Sequence, residues 1–212
     1  MTRLLESYSH GIFPWFSSGQ PVLWWSPDPR MVLQTRHFRF HRSLRQSIKR
    51  WRLNPRFSLC FDRDFGQVIQ RCACASRTGQ NGTWIVPEMV AAYENLHRHG
   101  HAHSAEVWLD GQLVAGLYFV ALGHAVFGES MFTTITDGSK MALACLVSVC
   151  LHHGIPMVDC QQNTRHLASL GAGEISRTAF INSITLGRQH SPVNWAQQSL
   201  YWDALMALDT CA

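Results

Sequence analysis

The chain has 212 residues, 46% of them hydrophobic, with a formal net charge of +4. That composition belongs to a folded globular protein with room for one substantial domain and a small appendage, and it excludes a disordered chain. No apolar run is long enough to cross a membrane and the start lacks a basic segment followed by a hydrophobic one, so a cytoplasmic protein is expected. The seven cysteines have no repeated C-x-x-C spacing, which points to reduced thiols rather than a zinc ribbon or a disulfide framework.

Arg3 to Tyr8 predicts a short helix closed by Gly11. The tryptophans and prolines that follow, through Trp24-Trp25-Ser26-Pro27-Asp28-Pro29-Arg30, imply an irregular but packed layer whose rings serve as core or as a stacking platform for a base. Phe38 to Arg52 predicts a basic helix ended by Asn54-Pro55. Arg36, Arg39, Arg42, Arg45, Lys49, Arg50, Arg52 and Arg56 lie within 21 positions that contain no acid. Such a run suits phosphate contacts, and suits a solvated helix face equally well.

A strand follows at Phe57 to Phe61, then a helix at Phe65 to Ala75 with Asp62 and Asp64 as candidate caps. Thr78 to Gly82 is a loop leading into Thr83-Trp84-Ile85-Val86. Pro87 opens a helix that runs to His99, with Gly100 just beyond its end. Ala105 to Leu109 and Gln112 to Val120 form a hairpin about Asp110-Gly111, and a second turn at Leu122-Gly123 leads into a strand from His124 to Phe132. His101 and His103 are able to share a strand face, but no motif supplies the remaining ligands of a zinc site, so no metal is expected.

Leu143, Leu146, Val147, Cys150 and Leu151 recur at helical spacing between Ser139 and His153, which predicts an amphipathic crossover helix. It joins Gly128-Glu129-Ser130-Met131-Phe132 to Val158-Asp159-Cys160-Gln161, so strand, helix and strand make a central βαβ unit in a mixed α+β sheet. The two strand ends are expected to face each other, at an edge where ligands commonly sit. There Glu129 is able to accept a cationic amine and Gln161 to orient one, although carboxylates at strand ends often only cap structure. Cys160 reads as a buried cysteine rather than a nucleophile. Asn163 is expected to cap a helix through Leu170, Ala179 to Leu186 forms another, and the tail with Trp195, Tyr201 and Trp202 packs back.

Six strings in order carry a resemblance: Tyr8-Ser9-His10-Gly11-Ile12-Phe13-Pro14-Trp15, Trp24 to Arg30, Gly82-Thr83-Trp84-Ile85, Gly100-His101-Ala102-His103-Ser104, Gly128 to Phe132, and Asp159-Cys160-Gln161, with Ser169-Leu170-Gly171-Ala172 continuing the match. Together they resemble the bacterial leucyl/phenylalanyl-tRNA-protein transferase family. The resemblance implies a cofactor-free, monomeric aminoacyltransferase that moves leucine or phenylalanine from Leu-tRNA or Phe-tRNA to the N-terminal Arg or Lys of a protein, creating an N-degron. It implies an N-acetyltransferase-like (GNAT-type) domain over residues 37–212, preceded by a small aromatic domain over residues 1–36. By the same similarity Asp159 polarises or orients Gln161, Gln161 holds the attacking amine, and Glu129 binds the substrate or removes its proton.

The candidates for the implied apolar pocket are Leu117, Val126, Met131, Leu143 and Val158, beside Gly128. Trp15 and Trp84 are implied to stack on the terminal adenosine, Tyr8 to lie near the acceptor site, and Arg42, Arg45, Lys49, Arg50 and Arg52 to meet acceptor-stem phosphates. Two departures stand out. The chain begins close to the Tyr8 motif, so the small domain is expected to be reduced, and Phe119 stands where the family has glycine, which is expected to narrow the pocket. The rivals are an acetyl-CoA-dependent acyltransferase, disfavoured because Thr133 to Ser139 offers one glycine and an acid where a pyrophosphate cradle is needed, and a non-catalytic RNA-binding module.

Overall fold

Asp110 and Gly111 both take positive φ, 53° and 74°. That is the backbone a two-residue hairpin requires, and it fixes the antiparallel register of β5 (Ala102–Leu109) on β6 (Gln112–Leu122). From this hairpin the sheet grows both ways. The computed structural model describes residues 1–16, 19–75 and 85–208. Before the hairpin come α1 (Thr2–Ser9), β1 (Phe13–Pro14), β2 (Trp24–Trp25), β3 (Arg30–Gln34), α2 (Arg42–Arg52), β4 (Phe57–Phe61), α3 (Phe65–Cys74) and α4 (Pro87–Arg98). After it come β7 (Ala125–Thr133), α5 (Gly138–His152), β8 (Met157–Gln161), α6 (Arg165–Ser169), β9 (Gly173–Ile175), α7 (Arg177–Gly187) and α8 (Trp202–Met206).

The strands form a seven-stranded mixed sheet in the order β4-β5-β6-β7-β8-β3-β9 and a two-stranded sheet of β1 and β2. The predicted βαβ unit is present: β7 and β8 run parallel, joined by α5. The other pairings of the large sheet are antiparallel. One apolar core holds α5 and the inner face of α2. The other holds α3, α4 and residues of α1 and α7, including Leu4, Tyr8 and Phe180.

Several elements differ from their sequence signals. Every residue of α5 from Met141 to Cys150 is buried, so it is apolar all round and not amphipathic; α2 and α8 cover the side that solvent was expected to wet. The basic helix starts at Arg42, because Thr35 to His37 make a single 3₁₀ turn and Phe38 and Phe40 enter the core from the segment that follows. Thr164, not Asn163, caps α6 by accepting a hydrogen bond from Leu167 N, while Asn163 donates to Glu174. Arg30 to Gln34, which a boundary at 36/37 assigns to the small aromatic part, is a strand of the main sheet between β8 and β9.

Gly171 follows α6 at φ +99°, and a Cβ there meets the His37 carbonyl oxygen at 2.1 Å. Both the conformation and the contact exclude other residues. Gly171→Ala is therefore expected to destabilise the protein by about 2 kcal/mol or more, seen in thermal unfolding as a midpoint lowered by about 4–8 °C.

Candidate active site

β7 and β8 pair only at Val126 with Val158 and at Phe127 with Asp159. Beyond that point each strand carries a bulge. In β7, Phe119 pairs with Gly128 and Tyr118 with Ser130, so Glu129 is the extra residue with no partner across the ladder. In β8, Val32 pairs with Asp159 and Met31 with Gln161, which leaves Cys160 as the extra residue. A bulge bends its strand and re-aims a side chain, and these two turn Glu129 and Gln161 toward each other. Gln161 Nε2 donates to Glu129 Oε1 at 2.9 Å. The backbone of Gln161 has φ +62°, a left-handed conformation that a side-chain-bearing residue holds only when its surroundings enforce it.

Asp159 supplies that enforcement. Its Oδ1 accepts from Gln161 N at 2.9 Å, while Arg30 donates through Nε to Oδ1 at 2.8 Å and through Nη2 to Oδ2 at 2.7 Å. Asp159 thus orients Gln161 through the main chain, not by polarising its side-chain amide. The two residues do not share a strand face as simple alternation implies, because the bulge at Cys160 breaks the alternation.

Glu129 also meets two phenols. Tyr8 Oη donates to Oε1 at 2.6 Å, Tyr93 Oη donates to Oε2 at 3.0 Å, and the two phenol oxygens are 2.6 Å apart. Burial pushes the Glu129 carboxyl up to about 8, with the Asp159 charge adding to the rise, while the hydrogen bonds from Tyr8, Tyr93 and Gln161 oppose it. Burial likewise raises both phenols well above their ordinary value, Glu129 reinforcing it, so neither ionises at neutral pH.

Beside this cluster lies a cavity of about 280 Å³, lined mostly by apolar side chains. The predicted Leu117, Gly128, Met131, Leu143 and Val158 line it, as do Trp15, Glu129, Asp159 and Gln161. Val126 does not: it is 2% exposed in the core and borders a different, smaller cavity next to His124 and Gly187. Phe119 does not narrow the pocket either, since its ring packs on Trp195, His103 and Phe61 away from the cavity. Tyr8 is fully buried and acts on Glu129 instead of lining the cavity. Trp15 is held from behind by Trp25, which donates its indole N–H to the Trp15 carbonyl and packs edge-on at 5.9 Å. Trp84 lies outside the described residues.

Sequence reasoning missed Arg30, Tyr93 and the lining residues Phe13, Leu146 and Leu167. Tyr93 shares α4 with the buried Met89, Val90 and Leu96 and is indistinguishable from a core residue by pattern. Arg30 did leave a signal, a charge at the head of the apolar run Met31-Val32-Leu33, which belongs buried only with a partner. Cys160 lines the cavity, but burial raises its thiol far above the range in which a thiolate forms, so it is no nucleophile.

Away from the cavity, Arg42, Lys49, Arg50 and Arg52 are exposed on α2, while Arg45 is half-buried with its guanidinium over Phe40. Arg52 lies over the Trp202 ring. Asp62, His97 and His103 are the one group of three potential metal donors found among the described residues. Their atoms are engaged internally: His103 Nδ1 with Asp62 Oδ2 at 2.7 Å, His97 Nδ1 with the Ala102 carbonyl, and Asp62 Oδ1 with Ser104 N. At the start of α5, the Asp137 carboxylate is held by Lys140 and Ser47, and Gly138 is packed against Thr133 and Ala115. An acid at that helix end repels a pyrophosphate, which counts against the acetyl-CoA reading.

Comparison with known proteins bears on this arrangement. The family model described as leucyl/phenylalanyl-tRNA protein transferase matches residues 32–185, and the one described as the N-terminal domain of that transferase matches residues 2–28. A leucyl/phenylalanyl-tRNA-protein transferase from Polaromonas sp. is 55% identical over 206 residues, covering 97% of this chain and 81% of its own. One from Albidiferax ferrireducens is 53% identical over 203 residues, covering 96% and 80%. Among solved structures, a functionally unknown conserved protein from Staphylococcus epidermidis is 7% identical with a TM-score of 0.38, covering 82% of this chain and 64% of its own. A likeness that weak carries no argument.

The raised Glu129 carboxyl has a measurable consequence. Between its ordinary value of 4.5 and about 8, the unfolded chain has released this proton and the folded protein still holds it. The folded state then binds more protons, so this group's contribution to stability falls as pH rises through that window. Glu129→Gln is expected to remove that slope: denaturant unfolding at pH 5 and at pH 8 should show a smaller loss of stability for the variant than for the parent.

Proposed function

The chain belongs to the leucyl/phenylalanyl-tRNA protein transferase family, and from that premise we propose that its apolar cavity receives the leucyl or phenylalanyl group of a charged tRNA and hands it to the free amino end of a protein. The observation that carries this reading is the contact of Gln161 with Glu129 at 2.9 Å, at the polar rim of a cavity of about 280 Å³. The cavity is sized for one amino-acid side chain and its ester, being below the ~300–1,000 Å³ of a drug-sized site. The nucleotide is read as stacking on Trp15, at the wall of the cavity.

An aminoacyl ester is already activated, so the protein's task is to position a neutral amine and keep water away. Gln161 Nε2 is spent on Glu129, which leaves its Oε1 to accept a hydrogen bond from the incoming nitrogen. A peptide α-amino group has a pKa of about 8, and Glu129 is pushed up to about 8 as well. Passing a proton from the bound ammonium to ionised Glu129 is therefore nearly thermoneutral, which suits general-base chemistry. The freed nitrogen attacks the ester carbonyl, a C–N bond forms, the C–O bond to the ribose breaks, and the departing oxygen takes a proton from the nitrogen.

The acceptor is read as a polypeptide beginning with Arg or Lys, and its product as an N-degron. An open groove lined by Trp24, Trp25, Asp28, Gln162 and Asn163 shares Gln161 with the cavity. Its acidic Asp28 suits a basic first residue. The exposed cations of α2 are read as contacts to acceptor-stem phosphates, which add affinity without reading sequence. The splayed, bulged pair β7 and β8 supports a GNAT-type catalytic domain that takes in β3, behind a small aromatic part that precedes it. We take the protein to act as a cytoplasmic monomer; among the described residues no helix is long and apolar enough to cross a membrane.

Charged tRNA with an Arg-initiated peptide tests the proposal. Gln161→Ala is expected to lower the single-turnover rate by about a hundredfold while charged-tRNA affinity changes little; an unchanged rate removes Gln161 from the reaction. Arg42→Ala combined with Lys49→Ala is expected to weaken tRNA binding and reduce the slope of log affinity against log salt by about 1–2, whereas an unaltered slope places the tRNA elsewhere.

A further inference from the structure

Arg30 has no part in the chemistry above, yet it is the one fully buried Arg or Lys among the described residues, 1% exposed. Taking a guanidinium out of water costs several kcal/mol unless its donors are satisfied. Here Nε and Nη2 grip both oxygens of Asp159, Nη1 donates to the Gly11 carbonyl at 3.0 Å, and the two faces lie 4.7 Å from the Phe13 ring and 4.5 Å from the Phe180 ring. Each partner comes from a different segment: Asp159 from β8, Gly11 from the turn after α1, Phe13 from β1 and Phe180 from α7. Such a pair is a poor source of stability, because well-packed apolar residues in its place are often as stable or more so.

What the pair does supply is geometry. The Asp159 oxygen that Arg30 Nε holds is also the acceptor for Gln161 N. Without Arg30, the Asp159 carboxylate is free to rotate and the left-handed Gln161 loses its restraint. The Gly11 contact fixes the end of α1 that carries Tyr8, the other donor to Glu129 Oε1. We propose that Arg30 is a positioning residue for acyl transfer, a planar clamp that sets both Gln161 and Tyr8 on Glu129 Oε1. This rests on the reading of Gln161 given under Proposed function.

Arg30→Met combined with Asp159→Asn removes the clamp without stranding a buried charge and keeps an acceptor for Gln161 N. Arg30→Lys keeps the charge but, as a point charge, does not reproduce the two-pronged grip. Both are compared with the parent and with Gln161→Ala for thermal unfolding, charged-tRNA affinity and single-turnover rate at saturating charged tRNA. The double variant is expected to stay folded, bind charged tRNA within about threefold of the parent and lose about 30-fold or more in rate; Arg30→Lys is expected to lose about tenfold in rate with affinity unchanged. A folded variant of either kind with a rate within threefold of the parent overturns the inference, as does a loss of rate that only tracks lost affinity. If the double variant unfolds, Arg30→Lys decides; if both unfold, the clamp is a stability element and the inference falls. Should the Arg30 variants keep their rate while Gln161→Ala loses it, positioning alone is wrong. A fully active Gln161→Ala overturns the site reading and the inference with it.

Discussion

The structure turns on a parallel strand pair that stops pairing. β7 and β8 share two residue pairs and then part, and a sheet that opens in its interior leaves main-chain and side-chain polar groups needing partners. The chain answers with two bulges and a set of side chains that bridge the gap: Glu129 to Gln161, Asp159 to the Gln161 main chain, and Tyr8 and Tyr93 to Glu129. Gly128 belongs to the same solution, for a Cβ there lies 3.2 Å from the Asp159 carbonyl oxygen, closer than strands at this spacing tolerate well. The apolar cavity occupies the space that divergence creates. Cavity and polar rim thus have one cause.

That origin explains how one small site joins two demands that pull apart. On the proposed reading the cavity accepts an aliphatic or aromatic side chain, which requires a dry wall, and Leu117, Met131, Leu143, Leu146 and Val158 line it. Handling a proton at the adjoining atoms requires polar groups that a dry wall penalises. The balance is struck at Glu129, whose carboxyl burial raises and three hydrogen-bond donors restrain, so that it stops at about 8 and does not become permanently neutral. A wetter cleft returns it to the ordinary carboxylate range.

Much of this was legible in the residues. Helical spacing between two strand-like runs marks the βαβ unit, and polar residues at both strand ends mark Glu129 and Gln161. What stayed hidden has identifiable causes. A bulge leaves no signature in hydrophobic alternation, so the facing of Glu129 and Gln161 was readable only as two strand ends meeting. The apolar residues of α5 include a set at helical spacing that reads as one face of an amphipathic helix, while the cover that α2 and α8 give the other side is a long-range fact. Val126 was misplaced because near an irregular register counting by two no longer says which side a residue takes, and Phe119 because a family glycine does not say where a ring in its place packs, here on Trp195. β3 was concealed by the tryptophans and prolines before it, and Arg30 with it.

The place of β3 in the sheet also governs how the protein is made. This strand leaves the ribosome early, yet its neighbours are β8 and β9, more than a hundred residues further along. Until they emerge, an apolar segment and a guanidinium built for burial have nothing to rest against. Such distant pairing is slow to form. If the proposed centre is the working one, nascent chains hold none of it complete until translation has passed Gln161, so a half-made enzyme has no means of spending the charged tRNA on which its own synthesis draws.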